Sequence, residues 1–274
     1  MILYKKMHSN GNNFLLLDNR NGSIDGQALS AYARRDCDVK KGIGADGILV
    51  IEKSEHLDFK MRIINANGFE SEMCGNGARC IALYAFENGI SSHTPKFETL
   101  AGNMEAKVTG NRVKIHMGHY DFETGLNQRT FSIGEEAITY QYMLLGVPHV
   151  VIFLEEHQRL TMDEMRHIGQ SFEQNHVVFS KGTNVNFVRK LNDHAIDVIT
   201  YERGVEAITD SCGTGSGASA LLASERYGLD SPVEVHNIGG INTVYFDKKD
   251  FFASVALEGS VHYAGDIQCP SFVF

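Results

Sequence analysis

The run Phe59-Lys-Met-Arg-Ile-Ile-Asn65, a polar turn, and then Cys74-Gly-Asn-Gly77 decide the reading of this chain. Half a chain later the same succession returns, as Ala195-Ile-Asp-Val-Ile-Thr-Tyr-Glu202 leads to Cys212-Gly-Thr-Gly215. Two copies at matched positions mark one supersecondary unit used twice. Behind the first Cys, Ala78, Ile81, Ala82 and Ala85 keep helical spacing up to Gly89. Behind the second, Ala218, Leu221 and Leu222 do so up to Gly228. A glycine just past the last periodic residue is a helix stop signal. Short apolar runs at 14–17, 48–51, 113–116, 150–154, 185–188 and 243–246 read as strands. The expected architecture is α+β, built twice, with many strands around one central helix per half.

A length of 274 residues suits two domains, each able to bury a core. The net charge of −9, with Lys and Arg scattered, argues against nucleic acid as a partner. The apolar stretch 14–17 is too short for a signal segment or a membrane span, so the expected address is the cytoplasm, with no membrane partner. Five cysteines form no C-x-x-C pair and leave an odd one, which fits free thiols in a reducing compartment. No Cys/His cluster has metal-ligand spacing, so no metal is expected.

A cysteine immediately before a helix has a chemical consequence. The first helical N–H groups are unpaired and carry the positive end of the dipole. A thiol there ionises more readily than its usual value near 8.5 allows, and a substrate carboxylate docks on the same donors. Two such thiols facing one substrate suit removal of an α-proton from one face and delivery to the other. Acid–base catalysis supplies about 10²–10⁴-fold of that task; preorganised donors and exclusion of water must supply the rest. No pyridoxal signature is recognisable, and no cofactor is expected.

Other readings stand beside this one. A single Cys-Gly would more often be a small buried residue, and Cys37, Cys80 and Cys269 are read that way. A facing thiol pair could also form a disulfide as a redox device. Gly42-Ile-Gly44-Ala-Asp-Gly47 matches G-x-G-x-x-G, but polar residues precede it and a strand-like run follows, so it is read as turns entering a strand. Asn12 in an Asn-Gly turn, His149 after Pro148, and Glu202-Arg203 receive no function from residue chemistry alone.

Taken in order, Met7-His8, Gly11-Asn12, Phe14, the Gly42–47 run, Asn65-Ala-Asn-Gly, Cys74-Gly-Asn-Gly-Ala-Arg-Cys80, Asn184-Val-Asn-Phe-Val, Tyr201-Glu-Arg-Gly and Cys212-Gly-Thr-Gly resemble the diaminopimelate epimerases. Gly239-Gly240 and Val261-His-Tyr-Ala-Gly265 resemble the family's tail. The resemblance implies two pseudo-symmetric domains, each a curved sheet wrapped around a central helix, with the active site in the cleft between them. The expected domains are 1–117, with 266–274 returning to it, and 118–265. It further implies interconversion of L,L- and meso-2,6-diaminopimelate without cofactor, for lysine and peptidoglycan precursors, by a homodimer. In that frame Cys74 and Cys212 are the acid–base pair, with Cys74 acting on the L-configured centre. Gly75, Asn76, Gly213 and Thr214 hold the reacting carboxylate, and His149 and Glu202 hold the amine and tune the thiols. Asn12, Asn65, Asn184 and Arg203 clamp the distal end, where a guanidinium fork matches a carboxylate.

Three positions depart from the family pattern. Val147 stands where Asn is common, Gly47 where some members have Gln, and the Arg203-to-Cys212 loop is one residue longer, with Glu206 as a candidate substitute for the usual Glu. Val147 leaves open a racemase of another amino acid, such as histidine or a basic one; a non-catalytic amino-acid binder using the same residues is a separate alternative.

Overall fold

The computed structural model describes residues 1–271. The chain folds as two compact units, Met1–His116 joined by the chain from Glu258 onward, and Met117–Leu257. Residues 272–274 of the expected returning segment lie outside the described residues; the strand His262–Cys269 pairs antiparallel with Ile2–Ser9 in the first unit.

Each unit repeats one order of pairings. In the first, Ile2–Ser9, Asn12–Asp18, Gly47–Glu52, Phe59–Asn65, Lys96–Thr99 and Gly102–Thr109 pair as antiparallel, parallel, antiparallel, parallel and antiparallel neighbours. In the second, Glu136–Leu145, Val147–Phe153, Asn184–Asn192, Ala195–Glu202, Val233–Asn237 and Gly240–Lys249 do the same. Parallel neighbours need a crossover, and helices supply it: α1 (Gly26–Asp36) and α2 (Gly75–Glu87) in the first unit, α3 (Met162–Glu173) and α4 (Gly213–Tyr227) in the second. A short strand, Glu70–Ser71 or Ala207–Thr209, folds back on the fourth strand of each unit just before its cysteine. The pseudo-symmetry read from the two Cys-Gly-x-Gly stretches is therefore written into the pairing order.

Helices α2 and α4 are the buried centres of their units. Every residue from Asn76 to Ala85, and from Gly215 to Ser224, is buried. Their Ala-, Gly- and Ser-rich sequences allow strands to approach on all sides. Asn88 closes α2 ahead of Gly89 (φ 65°), and left-handed Gly228 closes α4.

The expected one central helix per half is α2 in the first unit and α4 in the second. Each unit carries a second, outer helix, because half-buried helices show narrower apolar stripes than central ones. In α1, Ala28, Leu29, Tyr32 and Ala33 face inward behind an Asp25 cap that accepts the Ala28 N–H at 2.8 Å. In α3, Met165, Ile168 and Phe172 form the stripe, and Thr161 with Glu164 makes a capping box. That T-x-x-E pair is a start signal visible in the sequence.

The Gly42–47 run follows the C-terminus of α1, with the Gly42 N–H donating to the Asp38 carbonyl and those of Ile43 and Gly44 to the Asp36 carbonyl. It then enters Gly47–Glu52. A helix end of this polarity repels phosphate. Among the described residues no helix is long and apolar enough to cross a membrane.

Candidate functional site

Cys74 and Cys212 are the N-cap residues of α2 and α4, both with extended backbone. The first intrahelical bonds run from Ala78 N–H to the Cys74 carbonyl, 2.8 Å, and from Ser216 N–H to the Cys212 carbonyl, 2.9 Å. The preceding N–H groups, on Gly75, Asn76, Gly77, Gly213 and Thr214, belong to the first turns that lack intrahelical acceptors. Cys74 is half-buried and Cys212 buried.

In the first unit the side chain of Asn76 donates to Asn12 Oδ1 at 2.6 Å, and Asn12 donates to Asp46 at 3.3 Å. Asn12 sits just past a turn that Asn10 (φ 45°) and Gly11 (φ 88°) make left-handed. Asn65 closes its strand through backbone bonds with Phe69 and Gly68, in the turn that leads to Cys74. The structure thus joins Asn12 to Asn76 in the first turn of α2; Asn65 enters by its backbone.

The second unit assembles its set around Cys212. The thiol sulfur accepts the Gly215 N–H at 3.4 Å and the Asn184 side-chain N–H at 3.9 Å, and lies 3.5 Å from the Thr214 hydroxyl. Asn184 Oδ1 also accepts the Arg203 N–H at 3.0 Å, and the Arg203 guanidinium donates to the Lys181 carbonyl. Glu202 accepts the Thr209 hydroxyl at 2.6 Å. Burial raises the Glu202 carboxyl above its usual range, while hydrogen bonds from Thr209 and Cys212 pull it back. The protonated carboxyl is thereby brought nearer to neutral pH beside a thiol, the setting in which acid–base pairs are found.

His149 stands beside Asn184 in the parallel register. It is fully buried, and burial, with the Arg203 charge, depresses it to about 3. It is a neutral imidazole at neutral pH. Asn186 donates to His149 Nδ1 at 3.2 Å and to the Val150 carbonyl at 2.9 Å, so Nδ1 accepts and Nε2 carries the proton. That Nε2 has no well-formed hydrogen bond, though the Leu145 backbone weakly favours the protonated ring. A folded pKa below the ordinary 6.5 means the native state binds fewer protons. This contribution to stability is complete above pH 6.5 and is lost as pH falls toward 3. Between pH 7 and pH 5 it removes about 2 kcal/mol. Urea unfolding at the two pH values should show that loss in the wild type, reduced by about this amount in His149→Gln.

Three residues that sequence reading passed over belong to these sets. Asn186, two positions along the strand from Asn184 and so on the same face, sets the His149 tautomer. Thr209 holds Glu202, and buried Arg79 donates to Asn76 Oδ1. The period-2 pair Asn184/Asn186 was a usable signal. In the turn after Glu202, Glu206 (φ 56°) is exposed and returns its N–H to the Glu202 carbonyl. Gly146 (φ 70°) lies against Thr214, since a Cβ there would meet Thr214 Cγ2 at 3.4 Å, and half-buried Val147 is the next residue. Among the described residues no three His, Cys, Asp or Glu side chains cluster as metal ligands.

A family model described as diaminopimelate epimerase matches residues 4–123 and 141–260. A diaminopimelate epimerase of Methanocella arvoryzae is 37% identical over 89% of this chain and 90% of its own length. That of Caldanaerobacter subterraneus is 36% identical over 97% and 99%. Among solved structures, a Bacillus anthracis phenazine biosynthesis protein of the PhzF family superposes with TM-score 0.71 at 16% identity, over 97% of this chain and 98% of that one. A hydroxyproline epimerase from Agrobacterium vitis gives TM-score 0.67 at 16% identity, over 98% and 90%. These structures share the fold of two pseudo-symmetric domains.

Proposed function

The chain belongs to the diaminopimelate epimerase family, and on that premise we propose that it inverts one α-carbon of 2,6-diaminopimelate, between the L,L and meso forms, with Cys74 and Cys212 as base and acid. Membership makes it an isomerase. The observation that carries the two-thiol reading is that each cysteine caps the N-terminus of the buried central helix of its own unit.

In this reading one thiolate removes the α-proton and the opposite thiol delivers another, so neither needs an external proton during inversion. The N–H groups of Gly75 and Asn76, and of Gly213 and Thr214, bind the reacting carboxylate and stabilise the enolate-like charge that grows on it. Glu202, close to Cys212, holds the reacting amine, and neutral His149 adds no competing positive charge beside it. Asn12, Asn65, Asn184 and Arg203 bind the distal amino-acid end, the guanidinium taking its carboxylate. The setting we infer is a cytoplasmic homodimer supplying lysine and peptidoglycan precursors. The family's name supports the biosynthetic part of that setting.

A second reading, racemisation of another amino acid, draws on Val147, the apolar residue after Gly146, at a position where family members often carry Asn. A substrate panel separates the two. Purified protein without added cofactor should interconvert L,L- and meso-diaminopimelate and leave lysine, histidine and proline largely unchanged. Rapid racemisation of lysine or histidine with no turnover of diaminopimelate would move the substrate assignment to the second reading. Binding of diaminopimelate without turnover would leave only a binding module.

A further inference from the structure

A fully buried guanidinium needs a reason, because an uncompensated charge in the interior is costly. Arg79 is 0% exposed, and no carboxylate among the described residues pairs with it. Long helical side chains lean back toward the N-terminus, and Arg79 follows that rule. Its guanidinium reaches one turn back, donating from Nη2 to Asn76 Oδ1, while Nε donates to Ser9 Oγ at 3.0 Å. Ser9 is held in turn by its own bond to the Ser260 carbonyl, 2.7 Å. Gly259 leaves room for the guanidinium, since a Cβ there would stand 2.8 Å from its carbon. Nη1 remains buried without a partner.

The amides around it are oriented in one direction. Arg79 donates to Asn76, Asn76 to Asn12, and Asn12 to Asp46. A full positive charge is thus fixed on the side chain of Asn76, which follows the Cys74 cap by two residues, and adds to the helix's own partial charge.

Resting on the two-thiol reading above, we propose that Arg79 is a positioning residue whose buried guanidinium is the counter-charge of the Cys74 thiolate. Burial lowers Arg79, while the neighbouring thiols of Cys80 and Cys74 favour its charged form. Cys80 is fully enclosed and burial pushes its thiol far up, so it stays protonated. Arg79 itself is lowered only to about 10 and keeps its charge at neutral pH. Charged groups on the strands packed against α2 are engaged elsewhere. Lys5 pairs with Asp266, Asp18 with Arg20, Glu105 with Lys96, and Glu52 with Lys60 and Arg62. Lys6 bonds the Gly44 carbonyl, Lys107 is exposed, and His8 stacks on His262. That leaves Cys74 as the group Arg79 acts on.

The test is the pH profile of iodoacetamide alkylation, read at each cysteine by peptide mass spectrometry on the full chain. Arg79→Gln keeps an amide donor and loses the charge; it should raise the midpoint at Cys74 by about one to two pH units. Arg79→Lys keeps a charge and loses the fork, and should hold the midpoint near wild type. The midpoint at Cys212, in the other unit, serves as the internal control and should not move. Folded Arg79→Gln protein with an unmoved Cys74 midpoint overturns the proposal, as does an equal rise in Arg79→Lys. If Arg79→Gln fails to fold, Gly259→Ala, which displaces the guanidinium without removing it, should still raise the midpoint; an unchanged value there overturns the proposal equally. Full turnover in Cys74→Ala would instead sink the two-thiol reading. Lost turnover in Cys74→Ala with an unmoved profile in Arg79→Gln sinks the Arg79 inference alone.

Discussion

Alanine at Cys212 should leave a folded protein with turnover lowered by about 10³-fold or more, at the upper end of what a positioned acid–base group supplies. The sulfur is ringed by the Gly215 N–H, the Asn184 amide and the Thr214 hydroxyl, each able to stabilise a thiolate. Alanine removes the thiol from the centre of that ring and leaves the donors in place. The structural cost is small, because a single sulfur lost from a helix cap opens little volume, about 1 kcal/mol. Cys74→Ala should lose turnover to a similar degree at a still smaller structural cost, since Cys74 is half-buried and its side chain makes no cap bond. Chiral chromatography of diaminopimelate, with circular dichroism to confirm folding, measures both. Turnover within tenfold of wild type in either variant contradicts the role assigned to that thiol.

Gly42→Ala should destabilise the protein by about 3 kcal/mol or more, since a side chain forced against fixed backbone belongs to the most damaging class of substitution. A Cβ there would lie 2.3 Å from the Arg35 carbonyl oxygen, 2.7 Å from that of Asp36 and 2.9 Å from that of Asp38. All three oxygens are backbone, and two of them accept the bonds that close α1 onto the following loop. No rotamer change relieves such a contact. For a chain of this size the loss corresponds to a fall in Tm of roughly 6–12 °C. Gly75→Ala is the contrast: nothing lies within 4 Å of its would-be Cβ, so the melt should stay near wild type. A Gly42→Ala protein with an unchanged melt would contradict the structural role given to the G-x-G-x-x-G match.

What was legible in the sequence was what local chemistry writes twice. The Cys-Gly-x-Gly stretches announced both central helix starts, and Gly89 and Gly228 announced their ends. Strand cores were visible as apolar runs, although their ends were not: the run at 113–116 starts one residue into Arg112–Asp121, whose remaining residues are exposed or half-buried. Helices α1 and α3 were hidden because each buries only a narrow stripe, and the Asp25 cap and Thr161/Glu164 box were the cues that went unused. Arg79 was the least legible of all. Nothing in the letters Ala-Arg-Cys tells a surface arginine from one folded back, fully buried, onto Asn76. Likewise the neutrality of His149 arises from enclosure and from Arg203, more than fifty residues away in the chain, and the order of residues around Pro148 does not contain it.

The central claim is that two different thiols handle the two faces of the α-carbon, and deuterium oxide tests it most directly. L,L-Diaminopimelate is incubated with the enzyme in D₂O, without added cofactor, and sampled in the first few per cent of conversion. A thiol equilibrated with solvent carries deuterium to the product, while the abstracted protium stays on the opposite thiol and is returned only to unreacted substrate. The account predicts meso product carrying one α-deuterium at the inverted carbon and remaining L,L substrate that is still unlabelled. Meso product that retains the original protium would mean that a single base carries the proton across, and would contradict the account.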